Sequence, residues 1–190
     1  PTIYFGYTKG VEGLFDSDFD YEKLQVSYRQ PWRMGGLGTF SSTIEAGKTF
    51  GEVPLGLLSV VPGNQNLFSI YGTFPQLNYY EFVTDTYATL HLEHNFGGRL
   101  FGRIPFLRKL NLREIIGFRG AWGSISEENQ LINASNIDYI APNEEPYYEY
   151  SVGVGNILKV LRIDFNFRGN YLDTPDARSF GVTGALEFSF

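Results

Sequence analysis

Apolar and polar side chains alternate along most of this 190-residue chain with a period of two. That is the repeat of a β-strand with unlike faces, and it leaves little room for the 3.6-residue repeat of helices. Near the C-terminus Phe180, Val182, Gly184, Leu186, Phe188 and Phe190 share one face, opposite Gly181, Thr183, Ala185, Glu187 and Ser189. Leu161, Ile163, Phe165 and Phe167 alternate with Arg162, Asp164, Asn166 and Arg168, and Tyr148, Tyr150, Val152 and Val154 with Glu149, Ser151, Gly153 and Gly155. The same alternation runs through 116–122, 82–96, 40–50, 24–32 and 3–7, which predicts eight strands. Most are longer than the five or six residues usual in soluble sheets and near the nine to eleven of a tilted membrane strand. Length therefore favours strands that cross a bilayer.

The connections alternate long and short. Long ones cover about 11–22, 51–80, 124–146 and 172–178; tight ones lie at about 33–37 and 155–159, with an intermediate one at 97–111. Long loops on one side and short turns on the other is the pattern of bacterial outer-membrane barrels. Charge sorts the same way. Counting Glu81 at the edge of 51–80, the long loops hold 14 of the 21 acids, among them Asp16, Asp18, Asp20, Glu127, Glu128, Asp138, Glu144 and Glu145, against one base, Arg178. The other end holds Arg33, Arg99, Arg103, Arg108, Lys109, Arg113 and Lys159. An acidic rim suits divalent cations that bridge to lipid A phosphates, so lipopolysaccharide is an expected contact; solvated loop charges read the same way.

Three features point the apolar face outward, toward lipid. The polar face mixes small residues with charges of both signs, including Asp85, His91, Glu93, Arg119, Arg162, Asp164 and Arg168, which predicts a polar network inside a lumen. Aromatic residues such as Trp32, Phe40, Phe96, Trp122, Tyr148 and Tyr171 sit at strand ends, where rings anchor at a membrane surface. Lys48, His94 and Glu114, the misfits on the apolar face, also lie near strand ends, where a charge costs least.

Composition closes off other classes. With Cys 0 there is no disulfide scaffold, thiolate metal site or Cys nucleophile. No run reaches the roughly 18 apolar residues of a membrane helix. A net charge of −6 argues against nucleic acid as a partner. The chain begins at Pro1 without a leader and reads as a processed chain or a fragment. His91 and His94, the only histidines, fall on opposite faces and cannot share a metal. His91 shares its face with Glu93 and Asp85, a weak candidate for a base or half a metal site, and a hydrogen-bonded network explains the same residues. No nucleophile elbow, phosphate loop or zinc spacing is present, and no cofactor is expected.

Two connections carry further expectations. In 97–113, Leu100, Phe101, Ile104 and Leu107 are at helical spacing with Arg99, Arg103, Arg108 and Lys109 around them, and Pro105 limits any helix to a turn or two. Such a segment suits the headgroup plane, bases toward anionic lipid, or packing on the barrel rim. Residues 51–80 contain no Lys or Arg and are rich in apolar side chains, so they are expected to fold into or cap the lumen, with Val61, Pro62, Gly63 and Asn64 making a sharp turn.

Gly47-Lys48-Thr49-Phe50-Gly51-Glu52-Val53-Pro54, Pro62-Gly63-Asn64-Gln65, Asn78-Tyr79-Tyr80-Glu81-Phe82-Val83, Leu92-Glu93-His94-Asn95-Phe96 and Arg103-Ile104-Pro105-Phe106-Leu107 resemble the C-terminal barrel region of a Bacteroidetes outer-membrane family of unknown function. The resemblance covers most of 38–190. It implies an N-terminal carboxypeptidase-regulatory-like β-sandwich elsewhere in the protein and a barrel similar to the sixteen-stranded BamA/TamA type. Five strands after the long loop would then make this chain the C-terminal half. Leu186, Phe188 and Phe190 resemble the terminal signal by which such barrels are recognised for insertion. The BamA-type lid carries an Arg that reaches a lumen acid; Val61-Pro62-Gly63-Asn64 stands in its place and lacks that Arg.

The expectation is an all-β transmembrane antiparallel barrel segment of eight strands, half of a larger barrel in a bacterial outer membrane. It would be non-enzymatic and structural or assembly- and translocation-related, with outer-membrane lipid and the other half of its barrel as partners. The alternatives are a complete eight-stranded barrel serving as anchor or small enzyme, and a soluble ligand-binding barrel.

Overall fold

The computed structural model of the chain describes residues 1–13, 18–133 and 140–187. Among these residues ten strands form: β1 (Thr2–Gly10), β2 (Tyr21–Arg33), β3 (Thr39–Phe50), β4 (Ser59–Val60), β5 (Val83–Thr84), β6 (Thr86–Asn95), β7 (Arg113–Ser124), β8 (Tyr147–Ile157), β9 (Leu161–Arg168) and β10 (Phe180–Leu186). Eight of them make one sheet in the order β1-β2-β3-β6-β7-β8-β9-β10, and β4 pairs with β5 in a separate ladder. Every neighbouring pair in the large sheet is antiparallel. The molecule is thus mostly β, and the eight alternating segments are the eight strands of the sheet.

Two expectations need correction. The alternating run 82–96 is not one strand: it breaks at Asp85, and Val83–Thr84 leaves the sheet to pair with Ser59–Val60. The sheet also does not close into a barrel. Among the described residues β1 pairs only with β2, and the outer edge of β10 meets no strand of the sheet. Instead Gly184 of β10 donates to Leu67 O and accepts from Ser69 N, both at 2.8 Å, so a loop segment takes the place a strand would fill.

The faces of the sheet are inverted relative to a soluble protein. On β8 and β9 the polar members of each alternating pair are buried and the apolar ones exposed. Asp164 is 1% exposed and Glu149 0%, whereas Phe165 is 40% exposed and Val152 52%. Aromatic side chains line the exposed face in register. Tyr150 stacks on its cross-strand partner Phe167 at 5.2 Å between ring centroids, and Phe167 meets Phe180 at 5.1 Å. Such pairs contribute about 0.5–1.5 kcal/mol each beyond the area they cover.

What buries the polar face is the long connection 51–82, here called the lid. Its Val61, Phe74, Leu77 and Phe82 pack with Ala121 of β7 and Tyr147 of β8. A second cluster joins Val53, Leu58 and Val83. The segment packs on this face of the sheet, although its Leu67, Phe68 and Tyr71 remain exposed. Residues 61–64 do not form the expected turn. Gly63 bridges Phe74 instead, and the bend follows at 66–67, where Asn64 Oδ1 accepts from Asn66 N at 2.9 Å. Gly63 is needed because a Cβ there would lie 2.5 Å from Asn78 O.

At the other end of the sheet, α1 (Pro105–Arg108) follows a 3-10 turn at Phe101–Arg103, with Pro105 in the first helical turn where its missing N–H is harmless. Glu114, on the exposed-face parity, is covered by this connection and accepts from Phe101 N. The expected interfacial bases Arg99, Arg103, Arg108 and Lys109 lie along it, and Arg99 Nη1 donates to Gly36 O at 2.7 Å, tying two turns together.

Crowding on the buried face is testable at Gly153, where a Cβ would collide with Asp164 Oδ1. Gly153→Val is expected to cost about 1–3 kcal/mol, as overpacking does. Equilibrium unfolding reads it, and an unchanged midpoint would contradict the packing.

Candidate functional site

The covered polar face is the part of the molecule with chemistry, and the alternation of β6 to β10 puts it there. Its centre is Arg162. Nε donates to both oxygens of Asp164 at 3.0 and 2.8 Å, Nη1 to Glu187 at 3.1 Å and Nη2 to Glu93 at 2.6 Å. Glu93 stands on β6 and Arg162 on β9, with β7 and β8 between them. The guanidinium therefore reaches across two strands, and Gly117 and Gly153 lie on those intervening strands opposite Glu93 and Asp164. Charge-assisted bonds of this kind are short and strong. A cleft of about 300 Å³ opens here, lined by Arg29, His91, Glu93, Arg119, Arg162 and Asp164 among others.

Of the seven residues expected to form one network, three do so directly: Arg162, Asp164 and Glu93. Arg119 joins at the margin, donating to Asn166 Oδ1 at 3.4 Å. His91 faces the cleft, but its ring lies against Phe74 at 4.9 Å and makes no hydrogen bond to a carboxylate among the described residues. A His–carboxylate base is thus not assembled. Among the described residues no group of three or more His, Asp or Glu is placed to hold a metal ion.

Arg168 belongs to a different arrangement, which fastens the lid. Its Nη2 donates to Glu81 Oε1 at 2.6 Å, and Nη1 to Gln76 O at 3.3 Å. Its guanidinium lies 5.1 Å from the centre of the Tyr147 ring. Arg178 adds three lid carbonyls, Asn64 O, Pro75 O and Leu77 O, at 3.0 to 3.1 Å. Gln76 N donates to Glu149 Oε1 at 2.9 Å, which also accepts from Tyr147 Oη at 2.6 Å. The lid is thus held from outside by two bases, Arg168 of β9 and Arg178 just before β10, whose acceptors are on the lid, and by Glu149 of β8, which accepts from the lid backbone. Glu81, Arg178, Gln76 and Glu149 are not legible as a group from spacing. The one sequence signal is that Glu52 and Glu81 are the only charged residues in 51–82.

Asp85 leaves the network altogether. It sits where the strand breaks and holds α2 (Glu127–Ile132), accepting from Ser126 N at 2.6 Å and Asn129 Nδ2 at 3.3 Å. Asn129, buried, also accepts from Val53 N at 3.0 Å and donates to Gly51 O at 3.3 Å, so one Asp and one Asn join two long connections. Burial works to raise the Asp85 pKa, and the bonds from Ser126, Asn129 and Thr86 outweigh it, so the carboxyl is held below its usual range. Of the terminal signal, Leu186 ends β10 exposed, while Phe188 and Phe190 lie outside the described residues, as do the loop acids Asp16 and Asp138.

Comparison with known proteins gives one match. Residues 1–126 match the C-terminal domain of a family of unknown function, DUF5686. The match begins well before the segment whose motifs carried the resemblance and ends in the connection after β7. No curated protein and no solved structure matches the chain.

Two outcomes test this geometry. Glu81→Ala strands the Arg168 charge in the interior and is expected to cost about 3–5 kcal/mol, read as a lowered unfolding midpoint and as proteolysis within 61–82. Adding Arg168→Met to Glu81→Ala is expected to recover part of the loss; no recovery would show that the charge pair is not what holds the lid. For Asp85 the sign follows from a folded pKa below the unfolded one: its contribution is full above the ordinary carboxylate pKa of about 4 and is lost as pH falls through the lowered value. Asp85→Asn is expected to remove this acid-dependent step from an unfolding profile, and a profile identical to the parent's would contradict it.

Proposed function

The chain belongs to the DUF5686 family of unknown function, and on that footing we propose that it is a segment of a bacterial outer-membrane β-barrel, non-enzymatic, with a structural or assembly- and translocation-related role. The observation that carries this reading is the inversion of the sheet: charged and amide side chains are buried under a lid while Phe165, Ile163, Val152 and Tyr150 are exposed. In water that exposure would be a large sticky surface; in a bilayer it meets hydrocarbon. The long acidic connections then face outward and the short basic ones the periplasm.

The open edges support half of a larger barrel. Unpaired N–H and C=O groups are not tolerated in lipid, so β1 and β10 must each meet a strand. A further set of strands would supply both, in keeping with a sixteen-stranded barrel of the BamA/TamA type. Its partners would be that other half, membrane lipid and lipopolysaccharide. An enzymatic role draws no support from His91, which lacks a carboxylate partner among the described residues.

Val152→Lys, in the middle of β8, is expected to cost about 2–4 kcal/mol in lipid vesicles, against about 0–1 for Tyr148→Lys near the strand end. Unfolding measured in vesicles of bilayer lipid checks it, and equal small costs would contradict membrane burial. The half-barrel reading expects a native protein well above 21.5 kDa whose migration changes on heating. A native mass equal to that of this chain would contradict it.

A further inference from the structure

The end of the sheet opposite the lid carries a feature that the barrel reading does not require. The turn between β8 and β9 has Val160 N donating to Ile157 O at 3.2 Å, with Leu158 at φ 50 and Lys159 at φ 70. Two central residues with positive φ make a type I′ turn, which Asn-Gly fills without strain. Here a Leu and a Lys hold the left-handed backbone, against the preference of L side chains. Leu158 is also 82% exposed. A strained backbone that presents one apolar and one cationic side chain at its tip calls for something they touch.

Beside this turn runs the 97–113 connection. Asn156 Nδ2 donates to Asn111 O at 2.7 Å and fixes the two together. Between them lies a cleft of about 430 Å³ whose lining includes Arg108, Arg113 and Lys159. Neither 97–113 nor 155–160 contains an acid, and none of the three bases has an ion pair among the described residues. Phe106, 80% exposed, stands on the same connection. The cleft lies between β6 and β9, away from both open edges of the sheet, so closing the barrel would not cover it.

We propose that this cleft binds the phosphate of an anionic phospholipid, with Arg108, Arg113 and Lys159 around the headgroup and Leu158 and Phe106 entering the acyl layer. The inference rests on the membrane reading and deepens it. Cations beside exposed apolar side chains match a lipid headgroup and its chain together. A free anion would use only the cations, and an acidic protein surface would leave Leu158 and Phe106 without a partner.

The test uses the full-length protein in a zwitterionic detergent, titrated with short-chain phosphatidylglycerol, phosphatidylcholine or inorganic phosphate and read by native mass spectrometry. Phosphatidylglycerol is expected to bind more tightly than the other two. Lys159→Gln is expected to weaken it about fivefold, the loss of one cation near the surface. Leu158→Asn with Lys159→Gly restores the favoured turn, so it is expected to keep or raise thermal stability while weakening phosphatidylglycerol by at least as much. Equal binding of the two lipids, phosphate bound as tightly as phosphatidylglycerol, or undiminished lipid affinity in the Leu158→Asn/Lys159→Gly variant would each overturn the site. If the protein needs detergent yet shows no headgroup preference, this inference fails alone. If it stays in solution without detergent, the membrane reading fails first.

Discussion

A charge shut between a sheet and a lid costs several kcal/mol unless a partner meets it, and this chain shuts in Arg162, Asp164, Arg168 and Glu149. The rest of the structure follows from how they are met. Arg162 gathers carboxylates from β6, from its own strand and from the residue after β10, so one guanidinium ties the polar face together across its width. Arg168 takes its carboxylate from the lid, so the same requirement that neutralises it also holds residues 51–82 down. Small residues stand on the intervening strands: Gly117 pairs opposite Glu93 and Gly153 opposite Asp164, and a Cβ on Gly153 would meet Asp164 Oδ1.

Burying the polar face leaves the apolar face as the outer surface. A soluble sheet arranges the two the other way, with its hydrophobic face against a core. Here the apolar clusters lie between lid and sheet, on the same side as the charges. On the outer face the rings of Tyr150, Phe167, Phe180 and Phe165 pack against one another across β8, β9 and β10. The open edges belong to the same picture. Gly184 finds hydrogen-bond partners in lid residues 67 and 69, a local substitute for the strand a closed wall would provide.

Much of this was legible in the sequence because a period of two assigns every residue to a face once a strand is placed. Phe165 and Asp164 could be set on opposite sides from spacing alone, and the structure keeps them there. What period cannot convey is where a segment leaves the sheet. Phe82 and Asp85 keep the parity of the strand that follows, yet Val83 and Thr84 between them pair with the lid, while Asp85 turns its side chain to α2 and its backbone carbonyl to Thr49. Nor does alternation say whether a sheet closes, since closure depends on strand number and stagger. The lid lock was hidden for another reason. Glu81 and Arg168 are 87 residues apart, and charge sorting along the chain placed Glu81 among loop acids. Asp85 and His91 share a strand-face parity with the Arg162 group, but parity does not measure height along the strand or what else packs there.

The account stands on the exposed apolar face meeting hydrocarbon. Nitroxide labels at Val152 and Ser151, neighbours on β8 with opposite exposure, test it most directly in the full-length protein reconstituted in vesicles. The label at Val152 is expected to collide freely with dissolved oxygen and rarely with a water-soluble nickel complex, with the label at Ser151 shielded from oxygen in lipid. A label at Val152 open to the nickel complex and closed to lipid-phase oxygen would contradict it.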